Sequence, residues 1–510
     1  MRADQDVLDV RLVALTPACA AACMDETVTA LAAAGCVDVT PFPTLAMARA
    51  RCPPPADGQV GVQASLADLP NVVEVVDDFV VEASVPMGGV SDLDEVATKQ
   101  IITGGIRGYW GLDRIDQPSL PLDGSYTYDC FPSAGAGVDV FVLDTGCRAT
   151  HEQFGGRATS VAPPSSRSPA SAADGNGHGT HCAGTVGGVE SGVAKSATLR
   201  CVKVLNDEGV GAYGTILAGM EAAAAYKAAD PTRRVVMSLS LGGRARRGGG
   251  ASSQDTAVDR AAAVGVIPVV AAGNAAADAC AYTPARAALA ITVANADAAD
   301  RVAASSNTGP CVDVIAPGTQ ILSADARSDT GVRFLSGTSM AAPHVAGVVA
   351  LLLGERADGG DLKSADVKAL LAEGAPVVGG YRLGYVAGGC GRRGAPASPS
   401  PSPSPSPSPS LSPSPSAAPV KPSPSPAEPA DAAPAPSGLP TEATPTGTPA
   451  DATPSASPKL PRRRAPIGTV RPSAAPAPPT PTGVPSAAPR PAPRSGLPSW
   501  FLDFFGWDRR

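Results

Sequence analysis

The first eighty positions alternate apolar and polar residues in short bursts. Val10-Arg11-Leu12-Val13-Ala14-Leu15 carries the period of two expected of a strand, and residues 24–34 place apolar side chains at helical spacing before Gly35. Two further strands are predicted in Val72-Val73-Glu74-Val75-Val76 and Phe79-Val80-Val81, giving a small α+β unit over residues 7–83. The pattern then dissolves into Gly-, Asp- and Ser-containing sequence, a linker over 84–108. Beyond it, apolar runs at 138–143, 198–205, 235–241, 266–271 and 290–294 alternate with helical stretches at 178–188 and 215–229. Strands alternating with helices predict an α/β domain over 109–390, built on a mostly parallel sheet flanked by helices.

Composition changes this picture at the C-terminal end. Of the 54 prolines, 33 follow Ala395, most of them in Pro-Ser and Pro-Ala runs. Such a segment buries too little apolar surface to offset its ordering entropy, so 391–498 is expected to be a disordered, Pro/Ser/Ala-rich tail. Residues 499–510 form a separate aromatic peptide containing Trp500, Phe501, Phe504, Phe505 and Trp507.

Charge removes several functions. A net charge of −7 gives no basic footprint for nucleic acid. No apolar run reaches the ~18 residues that span a bilayer. Asp4, Asp6 and Asp9 stand where a secretion signal needs an uncharged apolar core, so no clear signal peptide is expected. The eleven cysteines are scattered without the paired spacing of a zinc site, and their odd number leaves at least one thiol free or paired between chains.

Three segments of the α/β region carry candidate chemistry. Val140-Phe141-Val142-Leu143-Asp144-Thr145-Gly146 is an apolar strand ending in an acid. Asp174-Gly175-Asn176-Gly177-His178-Gly179-Thr180-His181 puts a histidine behind a flexible loop at a helix start. Ser336-Gly337-Thr338-Ser339-Met340-Ala341-Ala342-Pro343-His344 puts a serine at another helix start. A serine hydroxyl becomes a good nucleophile when a base takes its proton, and histidine, titrating near neutrality, suits that task. A buried carboxylate then orients the imidazole and stabilises its protonated form. Strand ends and helix starts meet on one edge of a parallel sheet, where open α/β folds place their sites.

In the order Asp, His, Ser these blocks resemble the subtilisin-like serine proteases of the proteinase K and aqualysin branch. The resemblance covers Trp110 to about Gly380 and implies that Asp144 orients His178, that His178 is general base and acid, and that Ser339 is the nucleophile. It implies that Asn274, closing Val269-Val270-Ala271-Ala272-Gly273-Asn274, donates to the oxyanion beside the Ser339 N–H. Substrate walls are implied at Ser240-Leu241-Gly242 and Ala271-Ala272-Gly273, with Gly209-Val210-Gly211 as an edge strand for an extended peptide. Small neutral walls imply broad specificity, with an apolar or aromatic preference.

The same resemblance implies a Cys280–Cys311 disulfide and a structural calcium held by Asp313 with the carbonyls of Ala288 and Ala290. Asp313 equally suits an ordinary strand position. No cofactor is implied for the chemistry itself. Cys182 reads as a small buried hydrophobe or as a mercury-sensitive thiol behind His178, and His151, His181 and His344 as structural. Cys130, Cys147 and Cys201 have no deducible partners.

The N-terminal unit resembles the inhibitor propeptide of these enzymes, which implies an intramolecular inhibitor removed within 84–107. The expectation is a monomeric endopeptidase acting on polypeptides, extracellular or in a cell wall, with a vacuolar or endomembrane location as the alternative. The tail is a spacer or a glycosylated contact to wall or matrix. A non-catalytic matrix protein that uses the protease fold as a module is the competing class.

Overall fold

The computed structural model describes residues 10–17, 23–52, 67, 71–83, 108–163, 171–245, 252–356 and 362–386, which fall within one compact unit. The linker over most of 84–108, the Pro-rich tail and the aromatic terminus lie outside the described residues.

The N-terminal unit comprises β1 (Val10–Leu15), α1 (Met24–Ala33), β2 (Val37–Phe42), β3 (Met47–Arg51), β4 (Val72–Asp77) and β5 (Val80–Ala83). Its sheet runs β2-β3-β1-β4, antiparallel in each pair. One face packs under α1, where Val13, Leu15, Met24 and Leu31 are buried, and a Cys36–Cys52 disulfide ties the β2–β3 hairpin shut. Sequence periodicity missed that hairpin because 37–51 mixes Asp38, Pro41, Pro43 and Arg49 into its alternation.

The α/β region holds α2 (Trp110–Ile115), β6 (Val138–Asp144), β7 (Ala158–Val161), α3 (His178–Gly187), β8 (Thr198–Lys203), β9 (Val210–Ala212), α4 (Tyr213–Ala229), β10 (Arg234–Leu239) and β11 (Leu241–Arg244). After these come α5 (Ser253–Ala263), β12 (Val266–Ala271), β13 (Tyr282–Thr283), β14 (Ile291–Ala296), β15 (Val314–Pro317), β16 (Ile321–Ala324) and β17 (Val332–Leu335). The last elements are α6 (Thr338–Gly354), α7 (Ser364–Ala372), β18 (Val377–Val378) and β19 (Tyr381–Leu383).

Nine strands form the central sheet in the order β18-β19-β15-β14-β12-β10-β6-β8-β7. Every pair is parallel except β18–β19. Strand alternation separates two cores. Val138, Val140 and Val142 of β6 face the layer of α3 and α6. Phe141 and Leu143 face α4 and α5. Helix α6 is buried nearly all round, which explains why its sequence is apolar without an amphipathic stripe.

The N-terminal unit docks on α4 and α5. Leu12, Phe42, Leu45 and Met47 join the same core as Ile216, Met220 and Val258. Polar bonds fix the dock. Arg260 donates to the carbonyls of Leu45 and Ala46 at 2.7 Å and to that of Leu15. Glu221 accepts from the N–H groups of Thr44 and Leu45 at 3.0 Å. Asp78 accepts from Gly214 N–H at 2.9 Å, capping α4, which has no side-chain cap of its own.

Candidate functional site

Asp144 ends β6 and His178 opens α3, and the parallel sheet brings both to its carboxyl edge. His178 Nδ1 donates to Asp144 Oδ1 at 2.7 Å, and Thr145 N–H donates to the same oxygen at 2.7 Å. Both side chains are buried. Burial pulls the imidazole pKa down, but the Asp144 carboxylate outweighs it and holds His178 well above the ordinary 6.5.

The turn after Asp144 depends on Gly146, at φ +94°, where a Cβ would meet the Ala172 carbonyl at 2.6 Å. Asp174 then organises the histidine loop. Its Oδ1 accepts from Thr145 Oγ1 at 2.8 Å, Asn176 N–H at 3.1 Å and Gly177 N–H at 2.7 Å. Its Oδ2 accepts from Thr180 N–H at 2.8 Å and Thr180 Oγ1 at 2.6 Å. Sequence reading quoted Asp174 without a role; a carboxylate four residues before a helix start, in reach of the N–H groups of the loop and of the first helical turn, is the signal that pointed to it.

Ser339 is the second residue of α6. Pro343, four residues on, has no N–H for the Ser339 carbonyl, so that oxygen needs donors from outside the helix. Ser240 Oγ supplies one at 2.9 Å and Cys182 Sγ another at 3.4 Å. Ser240, expected as a pocket wall, thus also fixes the serine-bearing turn. Ser339 Oγ donates to the Ser240 carbonyl at 3.3 Å. His178 Nε2 is buried and makes no hydrogen bond among the described residues, so the serine–histidine bond is not formed in this geometry. Cys182 Sγ is 3.9 Å from His178 Nδ1 and 3.4 Å from the Ser339 carbonyl, linking the two helix starts. Burial pushes its thiol pKa up, so it stays protonated beside Asp144 and His178 and is a poor metal ligand.

Asn274 Oδ1 accepts from Thr338 N–H at 2.9 Å, which holds this side chain against the first turn of α6. Its loop is held by Asn307, which sequence reading missed. Asn307 is fully buried, accepts from Ala275 and Ala277 N–H, and donates to the Ala272 carbonyl at 2.8 Å. The expected 235–241 strand is broken at Ser240, where the chain turns its carbonyl to Ser339 and continues as β11. Leu241 and Ala272 are fully buried and Ala271 nearly so, beside Gly242 and Gly273.

The edge expected for an extended peptide is filled. β5 runs antiparallel between β9 and β11, with Val80 opposite Ala212, Glu82 opposite Val210 and Gly242, and Ala83 opposite Leu241. Val81 is buried and Glu82 exposed, so alternate side chains enter the groove.

The remaining histidines are structural. His181 Nε2 bonds the Ile321 carbonyl at 2.9 Å, and burial lowers its pKa to about 3. His344 Nδ1 bonds the Met340 carbonyl at 2.8 Å, and burial lowers it to about 4. His151 accepts from Gln153 N–H at 3.1 Å.

Cys280 pairs with Cys311, as expected, and Cys147 pairs with Cys201. The residues expected around calcium do not fit that ion. Lys368 Nζ lies 2.9 Å from Asp313 Oδ1 and 3.4 Å from the Ala288 carbonyl, and Asp313 Oδ2 accepts from Thr292 N–H at 2.8 Å. A protein cation already stands on two of the three expected ligands.

The subtilase family model matches residues 135–398, just over half of the 510. The chain is 46% identical over 248 residues to an extracellular serine proteinase of Thermus sp. (strain Rt41A), covering 48% of this chain and 56% of that protein. It is 46% identical over 245 residues to proteinase R of Parengyodontium album, covering 48% and 60%. A solved cold-adapted subtilisin-like serine proteinase is 38% identical, with a TM-score of 0.47 and coverage of 54% of this chain and 97% of that one. The chain thus spans a little over half the length of these two curated relatives. Matched across its parallel sheet and all three motif-bearing segments, the chain belongs to the subtilase family.

Proposed function

We propose that this chain is a serine endopeptidase that hydrolyses peptide bonds through an acyl-enzyme on Ser339, after removing its own N-terminal unit. The observation that carries the reading is β5, a strand of the chain itself lying in the groove between β9 and β11. Ala83 stands opposite Leu241, one residue from the Ser240 carbonyl that faces Ser339 Oγ, so a cut soon after β5 follows.

In the reaction, His178 Nε2 takes the Ser339 hydroxyl proton as Oγ bonds to the substrate carbonyl carbon. The Asn274 amide and the Ser339 N–H receive the oxyanion, one such donor being worth on the order of 3 kcal/mol of barrier. Collapse breaks the C–N bond, His178 returns the proton to the leaving amine, and water repeats the sequence to free the acid. No step requires a cofactor. The neutral walls at Leu241, Ala271 and Ala272 suit apolar and aromatic side chains. Secretion is supported by the disulfides and by the name of the Thermus relative. The Pro-rich tail serves as a spacer or a wall or matrix contact.

The test compares intact masses of the full chain and its Ser339→Ala variant. The wild type is expected to lose its N-terminal unit, with a new terminus inside 84–107 and toward its start, while the variant stays whole. If both remain full length, the protease reading fails and the non-catalytic matrix reading replaces it. If both are cut, hydrolysis of a peptide substrate decides: activity in the wild type alone retains the reading, and activity in neither ends it.

The dock predicts a pH dependence for the separated inhibitor. Burial raises the Glu221 pKa from 4.5 to about 7 against its two N–H partners. A carboxyl raised in the bound state favours binding below its free pKa and loses that advantage as pH climbs through 7. A shift of that size corresponds to roughly 3 kcal/mol, on the order of a hundredfold in affinity. Inhibition of the mature enzyme by the 7–83 fragment should therefore weaken from pH 5 to pH 8, and Glu221→Gln should flatten the profile. An unchanged slope in that variant would remove Glu221 as its source.

A further inference from the structure

We propose that Lys368 is a built-in cation that takes the place of a divalent metal between Asp313 and the loop entering β14, so that this site binds no calcium until the lysine is removed. Lys368 projects from α7 onto Asp313 Oδ1 at 2.9 Å and the Ala288 carbonyl at 3.4 Å. An ammonium at 2.9 Å from a carboxylate is an ordinary charge-assisted hydrogen bond. Calcium would need six to eight oxygens at about 2.3–2.6 Å and would meet a positive charge on the same ones.

A second carboxylate completes the surroundings. Asp259 of α5 accepts from Leu289 N–H at 2.8 Å. Burial raises its pKa, and the charge of Lys368 works the other way. The ammonium therefore stands among Asp313, Asp259 and the Ala288 carbonyl, where α5, α7 and the 285–290 turn meet. That turn joins β13, which pairs with groove strand β11, to β14 of the central sheet. Lys368 and Asp313 side chains are 28% and 26% exposed, so dissolved calcium has access and only the occupant excludes it.

Taking away the charge while keeping the reach of the side chain should open the site. Calcium stoichiometry is measured by titration calorimetry on the full chain in a Ser339→Ala background, which prevents self-digestion. Lys368→Met is expected to bind one calcium more than its parent and to show a larger calcium-induced rise in thermal midpoint. Adding Asp313→Asn to Lys368→Met should return the count to the parent's. Asp313→Asn alone should leave the parent's count unchanged. An equal count in Lys368→Met and parent, or a calcium lost in Asp313→Asn alone, overturns the proposal; the second arm reads independently should Lys368→Met fail to fold.

Discussion

Asp144→Asn should lower kcat on the order of ten-thousandfold at neutral pH while the protein stays folded. Asp144 Oδ1 accepts from both Thr145 N–H and His178 Nδ1, whereas Oδ2 is buried and makes no hydrogen bond among the described residues. An asparagine can keep its carbonyl at the Oδ1 position only by placing its NH2 at Oδ2, where no acceptor waits. The reverse orientation sets two donors against each other at Thr145. In either case the imidazolium that forms as Ser339 attacks loses its counter-charge. The pH profile supplies a second readout. His178 must be neutral to act as a base, and the Asp144 carboxylate holds its pKa well above 6.5 against the effect of burial. Wild-type activity should therefore rise into the alkaline range, and this limb should move to lower pH in Asp144→Asn. Kinetics from pH 5 to 10, with NMR titration of His178, measure both effects. A loss under tenfold, or an unmoved limb, would falsify the assigned role of Asp144.

The parts of this molecule legible in the sequence are those where one periodicity is undisturbed or where chemistry is written in contiguous residues. β6 was visible because Val140 and Val142 enter one core and Phe141 and Leu143 the other, producing an unbroken apolar run from Val140 into Asp144. The serine and histidine segments were visible as glycine loops followed by helix starts. What stayed hidden depends on residues distant in sequence. Asn307 holds the Asn274 loop from 33 positions away, and nothing around it marks that task. The break at Ser240 lies inside a run that reads as one strand, because the donor it gives to the Ser339 carbonyl answers a proline a hundred residues later. Lys368 looks like any exposed lysine on a short helix until α7 is laid beside Asp313. Side chains that serve a backbone group elsewhere leave no periodic trace.

Opening the Cys147–Cys201 disulfide, which lies within the core, should strongly destabilise the domain. It closes a 54-residue separation, and chain-entropy arguments put such a link at about 4 kcal/mol. Its position gives it a further consequence. Cys147 follows Asp144 by three residues, and Cys201 lies on β8, where Val142 pairs with Cys201 and Asp144 with Lys203. Both cysteines are buried, and the Lys203 ammonium bonds the Thr145 carbonyl at 2.8 Å in the same turn. The link therefore clamps the turn that presents the Asp144 carboxylate to His178. Cys147→Ala with Cys201→Ala, in the Ser339→Ala background, should lower the thermal midpoint by roughly 8–16 °C, taking about 2–4 °C per kcal/mol for a domain of this size. With Ser339 restored, kcat should fall while KM changes little, because the groove walls at β9 and β11 are built elsewhere. The Cys280–Cys311 pair, separated by 31 residues, is the control: its loss should lower the midpoint by a similar amount and leave kcat near the parent value. Equal kcat losses in both double variants would mean that the Cys147–Cys201 link stabilises the domain without positioning Asp144.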